Sequence, residues 1–441
     1  MTTKHFSITL SIVAVMALST GCNNIIDNKG NNNNNNNETA TVDTNLTALT
    51  KYADKALEMY TAAHASSVTL QSKITAFTTN PTETTLNEAK EAWLAARETY
   101  SPTEIFRLSN GPIDAKEGYA ASWNAPEGQL NAWPLDENMI DYTIDENGNR
   151  TSGNIIDTTG SFTPTGTGGT AVNVATLNKE AIASLNENGG DANVATGYHA
   201  IEFLLWGQDQ DYFSLVRDNV THGAMVAGQR PLSDYTTDSR ASRRKAYLNA
   251  AAELIVEDLN KMIAAWNKTD DNYRKALLGT HPVATNNIGR ATAFKQIFGG
   301  MGVFVKSELA NERMAVAVLT PSEEDEHSCF SDNTHRDIVL NYEGFKTIMN
   351  IAFKPYLSTA EQNRINTMFT SVDTRVALID TTAKNTKHFD YQIQENDVTR
   401  QNVISAKNEL RDLGDEMIDV AAAFGITLTS GDVTDSQETN I

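Results

Sequence analysis

Cysteine is almost missing from this chain: 441 residues contain two, Cys22 and Cys329. Two cysteines cannot brace a disulfide framework. Proline is also sparse, at 10, so few positions forbid a continuous helix. Positive charge is short as well, with 35 Lys and Arg against 56 Asp and Glu and a formal charge of -21. A surface of that sign repels nucleic acid and anionic headgroups and attracts cations, which argues against nucleic-acid binding. No long segment alternates with period two, so a sheet-based fold is not expected.

Helical patterning fills the space those absences leave. Leu248, Ala251, Ile255, Leu259, Met262 and Trp266 recur at steps of three and four, as do Val403, Ala406, Leu410, Leu413, Met417, Val420 and Phe424. Each series marks the apolar face of a helix. Gly425 is placed to end the second. Residues 46–77 and 86–106 read as two more helices joined through Asn80 and Pro81. The expected class is therefore all-α, with two packed helical bundles. Residues 43–270 are assigned to the first bundle and 271–441 to the second. Residues 146–176, rich in Gly, Thr and Asn, interrupt the pattern and read as a long surface excursion with room for a small hairpin.

The first 42 residues read as an address and a tether. Lys4 precedes a short apolar stretch at 8–18, too short to span a bilayer. Leu18-Ser19-Thr20-Gly21-Cys22 follows and resembles a bacterial lipobox. By that resemblance residues 1–21 are a signal peptide, and Cys22 is the lipidated residue that holds the chain to a membrane. Residues 22–42 include the asparagine run at 31–37, which cannot bury enough surface to fold and so acts as a flexible tether. The expected location is the cell envelope, lipid-anchored, at the outer membrane or facing the periplasm.

The chemistry concentrates in Gly197-Tyr198-His199-Ala200-Ile201-Glu202-Phe203-Leu204-Leu205-Trp206-Gly207-Gln208-Asp209. On a helix His199 and Glu202 project from one face, and an imidazole and a carboxylate so placed can share a cation. A plain surface His–Glu pair is the simpler alternative. The apolar company of Ile201, Leu204, Leu205 and Trp206 points instead to burial, where an ionisable pair needs partners.

This Gly-x-His-x-x-Glu segment resembles the signature of the imelysin family, in particular its iron-regulated lipoprotein branch. Further matching pieces run through Trp93 to Arg97, Tyr100 to Glu104, Trp133 to Asp136, Gly228 to Leu232 and Phe298 to Gly302. The resemblance implies two bundles related by an internal duplication, with the His–Glu segment near their junction, and in many members a link to iron supply. Related iron-uptake lipoproteins carry Tyr-Glu-x-x-Glu. Here Tyr100-Ser101-Pro102-Thr103-Glu104 keeps only the second carboxylate, Glu104, as a third candidate ligand beside His199 and Glu202. Iron is the favoured metal, and zinc or copper are alternatives. Iron-transport proteins are the expected partners.

A second candidate site is His327, Cys329 and His335, within an acidic segment at 322–337. Its simpler reading is an acidic connection. His64, His222, His281 and His388 stand alone and read as surface or structural residues, while Trp93, Trp133, Trp206 and Trp266 read as core anchors. Arg97 and Arg107 could pair with Glu104. A passive metal binder in iron acquisition fits these features best, and no catalytic residue is assigned. The runner-up is a zinc peptidase using His199 and Glu202, although His-Glu-x-x-His is absent. A third reading makes the His–Glu pair purely structural in an interaction protein.

Overall fold

The structure is a computed structural model that describes residues 43–145, 147–209, 227–319, 321 and 326–435. The expected signal peptide, Cys22 and the asparagine tether lie outside the described residues. Helix α1, Thr44–Thr79, starts where the Asp43 carboxylate accepts a hydrogen bond from the Leu46 N–H at 3.0 Å. Its buried residues Leu49, Tyr52, Ala56, Tyr60, Ala63, Leu70, Ile74 and Phe77 follow helical spacing. The chain turns at Asn80 and Pro81 into α2, Glu83–Tyr100, which opens on a capping box between Thr82 and Thr85. A 3₁₀ turn, Ser101–Phe106, continues directly from α2. The short helix α3, Gly197–Trp206, is buried at every position. Helix α4, Ala241–Trp266, carries the first apolar series read from the sequence and packs on α1 and α3.

The carboxyl-terminal helices form a second set. Helix α5, Arg290–Val303, runs without a break into a π-helix, Phe304–Ala315. Then come α6, Thr334–Ile348, α7, Thr359–Asn385, and α8, Arg400–Ala423. Helix α8 presents the second apolar series to α5, α7 and the π-helix. Gly425 takes a φ of 76° just past its end, as the stop reading requires.

The described residues are thus all-α but for small exceptions. Ser161–Phe162 pairs antiparallel with Val172–Asn173, a two-stranded hairpin inside the predicted excursion. One hydrophobic cluster runs through both helical sets. Tyr52 of α1 touches Phe106, Trp266 and Phe353, and Phe353 in turn packs on Phe298 and Phe424. Helix α6 lies against the 3₁₀ turn Ser101–Phe106, which brings its polar residues to the residues that follow α2.

Candidate functional site

Gly197 is dictated by space. Its φ is 86°, and a Cβ there would sit 2.4 Å from the Leu130 carbonyl oxygen. Only glycine lets α3 begin this close to the preceding backbone. The Trp93 indole N–H donates to the Tyr198 carbonyl at 2.8 Å, tying α2 to the same turn. The first turn of α3 is thereby fixed on two sides, and it carries His199.

His199 and Glu202 do face each other, Nδ1 to Oε2 at 2.9 Å, and both are fully buried. The other oxygen of Glu202 accepts from the N–H and the hydroxyl of Ser331, at 2.9 and 2.6 Å. The far side of the His199 ring meets His327, Nε2 to Nε2 at 3.2 Å. His327 Nδ1 in turn lies 2.7 Å from Asp337 Oδ2. A linear chain results, Glu202–His199–His327–Asp337, drawn from α3, the segment before α6, and α6 itself. Trp133 packs edge-on against both imidazoles, with ring centroids 4.8 Å from His199 and 6.1 Å from His327.

Asp337 is held strongly. Arg97 reaches its Oδ1 at 3.0 Å, and the Ser101 and Ser328 hydroxyls donate to its two oxygens at 3.0 and 2.5 Å. Burial alone would raise this carboxyl, but Arg97 and His327 outweigh it and hold Asp337 well below the usual carboxylate range. Glu202 has no guanidinium in contact, and burial pushes it up to about 8 despite the Ser331 bonds. Burial also drives His199 well below the ordinary imidazole range, with His327 and Arg97 adding to the effect. His327 is lowered by burial and by Arg313. Both rings are therefore neutral near pH 7.

Glu104 is close by but differently engaged. Arg313 clasps both its oxygens, at 3.3 and 2.5 Å, and Asn131 and Asn341 donate to it at 3.2 and 3.1 Å. Glu308 bonds Arg313 at 3.0 Å and Arg107 at 2.8 Å. The π-helix explains this pairing: i→i+5 bonding sets residues five apart near one another, here Glu308 and Arg313. Arg107, Asn131, Glu308 and Arg313, with Glu127, Trp133, Pro134, Glu312 and Val316, line a pocket of about 340 Å³ that reaches His327.

The structure thus places the predicted residues in three settings. His199, Glu202 and His327 come together. Glu104 lies in the adjoining arginine clasp. His335 is turned elsewhere, its Nδ1 3.0 Å from the Asp332 carbonyl and its Nε2 3.7 Å from Asp380, and Cys329 is buried in the 3₁₀ turn Cys329–Ser331. Arg107 does approach Glu104, at 3.6 Å, whereas Arg97 pairs with Asp337. Trp133, expected as a core anchor, forms a wall of the site instead. Ser331 and Asp337 lie in the 322–337 segment that the sequence marks as a second candidate, although the sequence gives neither a role of its own. Arg313, Asn131 and Asn341 lie far along the chain from His199 and carry no local motif.

These features define an all-α helical protein built around a buried, carboxylate-flanked histidine pair. The Imelysin family model matches residues 56–417, and the chain belongs to that family. No curated protein matches the sequence. Among solved structures it resembles an iron-regulated protein A precursor from Parabacteroides distasonis ATCC 8503, at 15% identity and a TM-score of 0.57, covering 88% of this chain and 97% of that one. It also resembles an imelysin-like protein from Psychrobacter arcticum 273-4, at 12% identity and a TM-score of 0.52, covering 88% and 98%. At such identities the likeness is one of fold.

Proposed function

We propose that this chain is a lipid-anchored envelope protein that binds a metal ion, iron foremost and zinc or copper as alternatives, between His199 and His327 in iron acquisition. The observation that carries the reading is the facing of the two Nε2 atoms at 3.2 Å, each ring backed by a carboxylate on Nδ1. When both Nδ1 hydrogens point to Glu202 and Asp337, both Nε2 lone pairs point at each other. Two lone pairs at that distance repel unless a cation lies between them. Two nitrogens bound to one ion at about 2.1 Å stand roughly 3.0–3.4 Å apart at angles of about 90–110°, so the spacing fits.

Carboxylate-backed imidazoles are a common supporting arrangement for metal ligands, because the carboxylate fixes the tautomer and raises ring basicity. In this reading His199 and His327 are the direct ligands, and Glu202 and Asp337 orient them. Glu104 anchors Arg313 at the pocket that would give access. The name of the Parabacteroides neighbour, an iron-regulated protein, supports iron as the first metal to test. A bound metal would supply Lewis acidity or a coordination site for a metal-bearing ligand.

The test is titration of the full chain with iron, zinc and copper, beside His199→Ala and His327→Ala. One bound equivalent that both substitutions abolish is the expected result. Absence of binding in the parent, or binding that neither substitution affects, would overturn the reading. Assaying the metal-loaded protein on peptide substrates separates a carrier from a peptidase.

A further inference from the structure

A second group of metal-ligating side chains lies one residue beyond Ser331. Asp332, His388 and Asp390 each offer a ligand atom, and these atoms all lie within 4.8 Å of one another. His388 Nδ1 is 2.5 Å from Asp332 Oδ2. Their exposures are 4%, 8% and 1%, so the cluster is out of water. Asp332 closes the 3₁₀ turn Cys329–Ser331, while His388 and Asp390 come from the start of a short helix, Phe389–Gln392.

We propose that Asp332, His388 and Asp390 form a second metal site, selective for a first-row divalent ion of the manganese-to-zinc series. Two carboxylates and an imidazole that converge out of water offer two oxygen donors and one nitrogen donor to a common point, a set that suits a divalent ion. A divalent ion at their meeting point satisfies both charges and uses the imidazole lone pair. One nitrogen and two oxygen donors without sulfur suit such ions and disfavour copper(I), which seeks thiolate or thioether. Direct ligands about 2.0–2.2 Å from zinc stand well under 4.8 Å apart, so small side-chain rotations close the site.

The backbone supports this placement. Asp332 adopts a φ of 57°, with its N–H bonded to the Cys329 carbonyl at 3.2 Å and its own carbonyl contacted by His335 Nδ1 at 3.0 Å. The Asp390 carbonyl accepts from the Gln394 side chain at 2.9 Å, and Gln392 donates to the Ile379 carbonyl at 3.2 Å. Both halves of the cluster are therefore held by bonds that do not involve the ligand atoms. The site also touches the first centre through the chain: Ser331, which bonds Glu202, immediately precedes Asp332. A metal here would brace the turn that positions Ser331.

This second site does not depend on the His199–His327 reading, and zinc titration of the full chain tests the two separately. Asp390→Asn and His388→Gln are expected to remove one bound zinc, or to weaken it more than about a hundredfold, since a direct ligand is worth more than the roughly 10–100-fold of a supporting partner. His199→Ala should leave that zinc in place. Zinc number and affinity unchanged in both second-site variants would overturn the assignment, as would loss of all bound zinc in His199→Ala alone. Hydrogen exchange on the unmutated chain covers the case in which a variant does not fold. Zinc is expected to slow exchange at 329–335 and 388–392, and unchanged exchange in both segments overturns the site.

Discussion

Ser331 gives one oxygen of Glu202 two hydrogen bonds, from its N–H at 2.9 Å and from its hydroxyl at 2.6 Å. The segment before α6 thereby holds the carboxylate that orients His199 on α3. Removing the hydroxyl in Ser331→Ala leaves the N–H bond but strips the second one, worth about 0.5–1.5 kcal/mol. The expected outcome is a urea-midpoint loss of that order and metal binding weakened roughly tenfold. An unchanged affinity would show that Glu202 does not control His199.

Gly197→Ala tests the geometry from which α3 starts. The added Cβ meets the Leu130 carbonyl at 2.4 Å, and the φ of 86° is itself unfavourable for alanine. Strain of about 1–3 kcal/mol comes from the backbone alone, before any clash is counted. A thermal melt by circular dichroism should fall well below the parent. A melt within a degree or two of the parent would mean that α3 can start in another conformation.

Arg97 is fully buried, bonded to Asp337 and packed over the rings of Trp93, Tyr100 and Tyr198. Arg97→Met keeps much of the volume but strands the Asp337 charge. Breaking one side of a buried pair costs about 3–5 kcal/mol. Denaturant unfolding should show a loss in that range, and the double variant Arg97→Met with Asp337→Asn should recover part of it. Additive losses would deny the coupling.

The membrane attachment is tested at Cys22. Cys22→Ser removes the only thiol in the lipobox-like segment. Among the described residues no helix is long and apolar enough to cross a membrane. Cell fractionation is therefore expected to move the protein from the membrane pellet to the soluble envelope fraction. Retention in the pellet would sink the lipid-anchor proposal.

The helices were largely legible because periodicity is local. The series ending at Trp266 and Phe424 are the buried faces of α4 and α8, and the Asn80-Pro81 break falls between α1 and α2. The His199–Glu202 pair was legible for the same reason, since one helical turn makes it. Its partners were not. His327 was grouped with Cys329 and His335 by proximity in sequence, yet its ring crosses to His199 while His335 turns toward Asp380. His388 stands alone in the sequence, where nothing local reveals that Asp332 meets it across the fold. Such pairings come from how α6 crosses the residues after α2, a tertiary fact that single-chain spacing does not encode.

Acid stability offers a test of the arginine clasp. Burial alone would raise Glu308, but Arg107 and Arg313 outweigh it and bring it from 4.5 down to about 2. Glu104 moves the same way for the same reason, through Arg313 and Arg97. A depressed folded-state value means that the unfolded chain binds the proton first. The stabilisation is therefore fully present above the unfolded value of 4.5 and is lost as pH falls toward 2. Glu127, in the same cluster, is raised by burial more than Arg107 lowers it. Its protonation favours the folded state, so it partly offsets the loss. The difference between parent and Glu308→Gln isolates the term of interest. Urea midpoints measured from neutral pH downward should show the variant clearly less stable at pH 7, with the gap closing below about pH 4.5 as the parent carboxylate protonates. A gap that stays constant down to about pH 2.5 would mean that Glu308 is not held ionised by Arg107 and Arg313, and that the clasp owes its stability to packing instead.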